Sequence, residues 1–374
     1  MTAPRLPSGT QMDGATARDL KRLRAELHGQ YQTSVNLFDN PQMEVSQRGG
    51  VGAAAITILA TKTFYADRWG AVNNTVGTQT WNMNTGTGFG IFPPEGRARP
   101  GVALYIIQTV ADAALAAGDS SFVSYSWVGR DVQSLEWATA RAKPLTVSFD
   151  IYCTVTTTLM AEFAKADGRN ISIPFTTQAG VFKTITFTVP VDTGGTVFVD
   201  DDSTQLTMLI WTGAGSNLTS GTLNSSWSPS PATATRCVGM GNQFPATINN
   251  LLSITNMKAE VGSVATRFVP SPYSAELAKC QQYYLQTDKT NYGWGTVYGY
   301  GAAATSCGNY VSFPVPMRVQ PIATINGTYA QTNCTIQTPL PDRFGGLHYV
   351  VVTALGAFNC NSNNSGYMTF SAEI

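Results

Sequence analysis

The stretch that decides the fold is Leu145-Thr146-Val147-Ser148-Phe149-Asp150-Ile151-Tyr152-Cys153-Thr154-Val155. Leu145, Val147, Phe149, Ile151, Cys153 and Val155 point one way, and Thr146, Ser148, Asp150, Tyr152 and Thr154 the other. A period of two is the signature of a half-buried strand, because successive side chains leave opposite faces of the pleat. Val181–Val189 repeats the pattern, with Ile185, Phe187 and Val189 opposed to Thr184, Thr186 and Thr188. Thr196–Val199, Gln205–Trp211, Leu251–Lys258 and Tyr349–Thr353 read as further strands. Asp192-Thr193-Gly194-Gly195 and Thr212-Gly213-Ala214-Gly215-Ser216 supply turns between runs. Many antiparallel strands and few helices predict an all-β chain of β-sandwich or jelly-roll type.

Helical signal is confined to two places. Asp13 to about Gln32 reads as a capped helix with Leu20, Leu23 and Leu27 in a short a/d seam. That seam serves its own domain or a short parallel bundle. Further on, Pro270-Ser271-Pro272-Tyr273 reads as a hinge, followed by a short helix from Ser274, its N-cap, to Gln282. These breaks divide the chain into an arm and helix over 1–35, a jelly-roll domain over 36–270 and a C-terminal β-sandwich tip over 271–374.

Only 12% of the 374 residues are charged, and the formal net charge is zero. Ordinary soluble chains carry about 25%. The balance argues against a nucleic-acid partner, and no apolar run reaches the roughly 18 residues of a membrane span, so membrane insertion is not expected. From Asn291 to Ile374 the charged residues are Arg318, Asp342, Arg343 and Glu373 alone. A surface so poor in charge suits sister subunits or a neutral, hydroxyl-rich ligand. The six cysteines, Cys153, Cys237, Cys280, Cys307, Cys334 and Cys360, form no CxxC pair. With no apolar leader in Met1-Thr2-Ala3-Pro4-Arg5, free and mostly buried thiols made in a reducing cytoplasm are expected.

Several stretches resemble bacteriophage tail fibre proteins. Asn36-Leu37-Phe38-Asp39-Asn40-Pro41 with Gln47-Arg48-Gly49 resembles the opening of their carbohydrate-binding-like domain, and Tyr65-Ala66-Asp67-Arg68-Trp69 its next landmark. Met257-Lys258-Ala259-Glu260-Val261-Gly262-Ser263-Val264-Ala265-Thr266, Phe268, Glu276-Leu277-Ala278 and Cys280-Gln281-Gln282-Tyr283-Tyr284 resemble the join to their C-terminal domain. Phe313-Pro314-Val315-Pro316-Met317-Arg318-Val319-Gln320-Pro321 is similar to an early strand pair of that domain. The chain departs from the pattern at Arg267 and Gln282. The resemblance implies a homotrimeric virion fibre that recognises bacterial surface polysaccharide during adsorption, with the N-terminal segment docked on other virion proteins. Rival readings are a head-fibre, decoration or baseplate protein without a ligand, a glycan-degrading tailspike, and a cellular carbohydrate-binding module.

Catalytic raw material is sparse. His28 and His348 lack a neighbouring nucleophile elbow, and neither HExxH nor a P-loop occurs. Gly86-Thr87-Gly88-Phe89-Gly90 reads as a turn rather than a dinucleotide loop. Asp131, Glu136 and Asp150 are the carboxylates a glycosidase would have to bring together. No enzyme activity and no cofactor are expected. Asp200-Asp201-Asp202 is a weak calcium candidate against a polar turn. Sugars stack their C–H faces on exposed aromatics beside amides and hydroxyls. Two clusters have that composition: Tyr292, Trp294, Tyr298 and Tyr300 with Asn291 and Asn309, and Trp81, Tyr125, Trp127 and Trp137 with Asn82, Asn84 and Asp131. In the first, Gly293, Gly295, Gly299 and Gly301 leave room for close approach. Trp69 reads as core.

Overall fold

The computed structural model describes residues 35–49, 55–84, 103–229, 231–241, 244–287, 296–362 and 366–373. The helix expected over Asp13–Gln32 and the turn at Gly86–Gly90 lie outside the described residues.

The chain is all-β. A six-stranded antiparallel sheet runs in the order Ile56–Thr57, Thr78–Asn84, Ala103–Val110, Leu251–Val261, Leu145–Cys153, Val181–Val189. A seven-stranded sheet runs Ser228–Pro229, Arg169–Thr176, Thr158–Lys165, Thr204–Ala214, Ser120–Val128, Trp69–Asn74, Thr63–Phe64. Their inner faces share one hydrophobic core, the arrangement of a jelly-roll sandwich. Leu145, Val147, Phe149 and Ile151 enter it from one sheet, and Leu159, Ala161, Phe163, Met208 and Ile210 from the other. At one end Phe38 packs its ring 5.1, 4.9 and 4.9 Å from those of Trp69, Tyr125 and Trp127. Trp69 is therefore core.

Three departures from expectation have local causes. Thr196–Val199 is not a strand: Phe198 turns inward as a plug on Trp137, 5.5 Å between rings. Phe313–Pro321 contains no strand pair, because Pro314, Pro316 and Pro321 have no N–H to give a ladder. The short helix spans Tyr273–Gln281 with Pro272 at its N-cap, so Ser274 lies in the first turn and not at the cap. It starts early because proline pre-sets the extended entry and removes a donor the first turn could not satisfy.

A second core gathers Met317, Val350, Val352, Cys360, Met368 and Phe370 beneath three small sheets between Tyr284 and Ser371. All six cysteines are free thiols; Cys307 is half-buried and the others are buried. His348 is buried in the strand Gly345–Val352, and burial lowers its pKa to about 4. An unfolded histidine titrates near 6.5. Below that pH the unfolded chain takes a proton that the fold refuses, so stability falls as pH drops from about 6.5 to about 4. The loss comes to roughly 3 kcal/mol. Denaturant titrations across this window are expected to give that slope, and His348→Gln to flatten it.

The two cores meet through arginines. Arg48 lies 3.5 Å over the Tyr284 ring and pairs with Asp67 at 2.8 Å and Glu373 at 3.2 Å. Arg68 lies 3.5 Å over the Tyr283 ring and pairs with Asp39 at 3.4 Å. Arg318 returns from the tip side, donating to the Asp202 carbonyl.

Candidate functional site

The outer face of the six-stranded sheet carries the polar residues of the alternating strands. Asp150 stands opposite Thr184 on one side and Thr255 on the other, and Ser148 opposite Thr186 and Lys258. Between Thr255 and Lys258 the pairing shifts in a bulge. There Asn256 takes a left-handed conformation (φ 54°), which asparagine tolerates better than most residues. Bulges re-aim side chains, and this one sends Asn256 onto Asp150. Asn256 Nδ2 donates to Asp150 Oδ2 at 2.8 Å, and Thr184 Oγ1 donates to Asp150 Oδ1 at 2.6 Å. Gln42 Nε2 in turn donates to Asn256 Oδ1 at 3.2 Å. The result is a hydrogen-bonded floor of fixed geometry.

A strap formed by 262–268 crosses this face and makes the floor a cleft. Two outward neighbours on one strand, Lys258 and Glu260, form a buried ion pair at 3.2 Å. Both hold Thr266: its N–H and hydroxyl donate to Glu260 Oε1 and Oε2 at 2.7 Å each, and Lys258 Nζ donates to its hydroxyl. Lys258 Nζ also donates to the Arg267 carbonyl at 3.2 Å, and Thr146 Oγ1 to the Gly262 carbonyl at 2.7 Å. Thr146, Ser148 and Asp150 are thus buried although they point away from the core. The cleft measures about 360 Å³, with Ser148, Asp150, Thr184, Thr186 and Asn256 as floor and Ala265 to Phe268 as wall. One register step along, Tyr152 and Phe182 stand side by side at 5.4 Å between rings. An aromatic pair beside a hydroxyl and amide floor matches what a pyranose ring offers.

The expected Trp81 and Trp127 cluster is not a sugar platform. Trp81, Tyr125, Trp127 and Trp137 are each 0% exposed. Trp81, Tyr125 and Trp127 occupy inward positions of strands and Trp137 lies in a turn after Gln133–Leu135; all four fill the sandwich core, and Trp127 Nε1 is spent on the Leu37 carbonyl at 2.7 Å. Asn82 is half-buried on the outer face opposite Tyr105, and the Asn84 side chain lies outside the described residues. Asp131 is half-buried, and burial raises its carboxyl to about 6. Glu136 is tied to Arg141 at 3.0 Å and Lys143 at 3.3 Å. Asp150, the third nominated carboxylate, serves the cleft floor.

Tyr298 and Tyr300 are 79% and 74% exposed on one small sheet, Tyr298 beside Asn359 and Tyr300 beside Ala357. Tyr292, Trp294 and Asn291 lie outside the described residues. Exposed Asn309 donates to the Thr296 carbonyl at 3.4 Å. The space at Gly299 is not open to a ligand, because a Cβ there would come 2.9 Å from the Phe358 ring of the tip's own core. The four charged residues beyond Asn291 are internally engaged. Arg318 and Glu373 serve the junction, Arg343 donates to the Met317 carbonyl at 2.9 Å, and Asp342 caps its own turn and Tyr310. Asp200, Asp201 and Asp202 do not gather as metal ligands; among the described residues no such group occurs. Asp201 accepts from Ser203 N–H at 2.9 Å in a turn, and Asp202 pairs with Arg130 at 3.4 Å.

The sequence reading missed the cleft residues Thr184, Thr186, Asn256 and Phe268. Thr184, Thr186 and Asn256 lie in runs that read as strands, but nothing local to those runs shows that a strap covers them.

No family model matches this sequence, and no curated protein matches it. Solved structures similar in shape include a xylan-binding domain from Paenibacillus barcinonensis, at 8% identity and TM-score 0.29, covering 63% of this chain and 99% of that one. A putative sugar-binding protein from Bacteroides thetaiotaomicron has 10% identity and TM-score 0.31, covering 61% and 100%. A family 11 carbohydrate-binding module from Clostridium thermocellum has 12% identity and TM-score 0.26, covering 57% and 99%.

Proposed function

We infer that this chain is a non-enzymatic virion fibre protein that binds a bacterial surface glycan during phage adsorption. The observation that carries the reading is the cleft on the six-stranded sheet. It has a hydroxyl and amide floor around one carboxylate that accepts two hydrogen bonds, with Arg267 and Phe268 in its wall and the Tyr152–Phe182 pair one register step along the sheet. Such a site recognises a polyol by hydrogen bonds and C–H stacking. The resemblance of four sequence islands to phage fibres supports the virion location. The charge-poor tip, which exposes Tyr298, Tyr300, Ile322, Phe344 and Leu355, supports packing against sister subunits in a homotrimer. Three copies would present three weak sites at high effective concentration.

The test is adsorption of purified protein to host cells. Thr186→Trp, which fills the cleft from its floor, is expected to lower binding by at least about tenfold, the loss of one stacking and hydrogen-bonding site. A neutral glycan is expected to bind with little salt dependence, since it brings no charge to Asp150 or Arg267. If Thr186→Trp adsorbs like wild type while Tyr298→Ala with Tyr300→Ala does not, the receptor site belongs to the tip instead. If neither variant changes adsorption, a structural fibre without a ligand is the better account.

A further inference from the structure

The strap that walls the cleft has a second hollow on its other side. About 300 Å³ of space lies between Val35, Asn36, Val269 and Ser271, and it shares Arg267 and Phe268 with the first. Each hollow alone sits near the lower end of the roughly 300–1,000 Å³ that small-molecule sites occupy. Neither holds a long chain by itself. The shared side chains make them neighbours: half-buried Phe268 lines both, as a ridge between two troughs. The ridge is rigid. Thr266, two residues earlier, is held by Glu260 and Lys258, and the Arg267 carbonyl by Lys258. A preorganised ridge does not have to be ordered when a ligand arrives.

The geometry points to a ligand that crosses Phe268 and fills both hollows. Resting on the glycan reading above, this makes the ligand class an extended internal stretch of polysaccharide, not a single chain-terminal sugar. A short saccharide occupies the sheet-side hollow alone. A longer one gains the strap-side hollow, at the effective concentration set by its own linkage.

The probe is an array of bacterial O-antigen and capsular oligosaccharides graded in length from one sugar to six, read with the full chain. For the members that bind, apparent affinity is expected to rise by at least about tenfold between two sugars and four, as a second linked contact requires. Ser271→Trp fills the strap-side hollow and leaves the sheet-side floor intact. It is expected to bring the long members down to the short-member level and to leave the short ones unchanged. Phe268→Ala removes the ridge common to both hollows, and is expected to weaken short and long members alike while flattening the length dependence. Length dependence that survives Ser271→Trp overturns the second hollow's role, as does equal wild-type affinity for all lengths. If wild type binds no member while control lectins do, the glycan reading itself falls and this inference with it.

Discussion

Replacing Arg68 by Met is expected to destabilise the protein by about 3–5 kcal/mol, the cost of breaking a buried ion pair by removing one partner. Arg68 is 2% exposed. Its Nη2 donates to the Ser126 carbonyl at 2.8 Å and to Tyr125 Oη at 3.3 Å, while Nε reaches Asp39 and Nη1 lies 3.9 Å from Glu373. The guanidinium also lies over Tyr283, a residue of the connection between the two cores. A methionine keeps the apolar stem but leaves Glu373 with Arg48 alone and Asp39 with Lys279 alone, and the Ser126 carbonyl loses its donor. The backbone at Arg68 is left-handed (φ 73°), a conformation that the surrounding bonds must hold in place. Denaturant unfolding is the measurement. Wild type is expected to unfold in one transition, and Arg68→Met in two, as the tip loses its hold on the jelly roll. Arg68→Lys is expected to recover only part of the loss, since an ammonium cannot stack on Tyr283 and reach three acceptors together. A single transition with a change under about 1 kcal/mol, the size of an ordinary surface substitution, would refute the coupling.

The second large effect belongs to the strap. Lys258→Met or Glu260→Gln alone is expected to cost about 3–5 kcal/mol, because each breaks a buried ion pair by removing one of its members. The double variant is expected to cost far less than the two losses added together, which a double-mutant cycle measures directly. Binding separates this pair from an ordinary core contact. Thr266 and the Arg267 carbonyl are held by these two side chains, so releasing them removes the wall common to both hollows. Glycan affinity is therefore expected to fall in the double variant even where its stability is restored. Additive single losses, or a double variant that binds like wild type, would show that the pair does not position the strap.

The islands that resemble phage fibres acquire physical roles in the structure. Gln47-Arg48 and Asp67-Arg68 are the clamps that join the two cores, since Arg48 and Arg68 stack on Tyr284 and Tyr283 of another island. Lys258 and Glu260 are the strap's anchors. Asn36 closes the sandwich by donating to the Met257 carbonyl at 2.9 Å and accepting from Ala259 N–H at 3.0 Å. These bonds join residues more than two hundred positions apart, and no local spacing announces them. Aromatic composition misled for a related reason. Trp127 and Tyr298 are both aromatic residues in strands beside polar neighbours. One is fully buried and the other mostly exposed, and only the sheet that packs opposite Trp127 distinguishes them.

The period of two in Leu145–Val155 and Val181–Val189 was enough to determine the β class and the face of the sheet that each side chain occupies, because the pleat alone dictates alternation. The shortage of charge beyond Asn291 was likewise complete in the sequence. The tertiary structure decided what covers each face. Asp150 points away from the core, as its parity requires, yet it is buried, because a strap more than a hundred residues later folds back over it on the Lys258–Glu260 pair. Parity is a property of one strand. Burial depends on what the rest of the chain lays against it, and that set the position of the cleft.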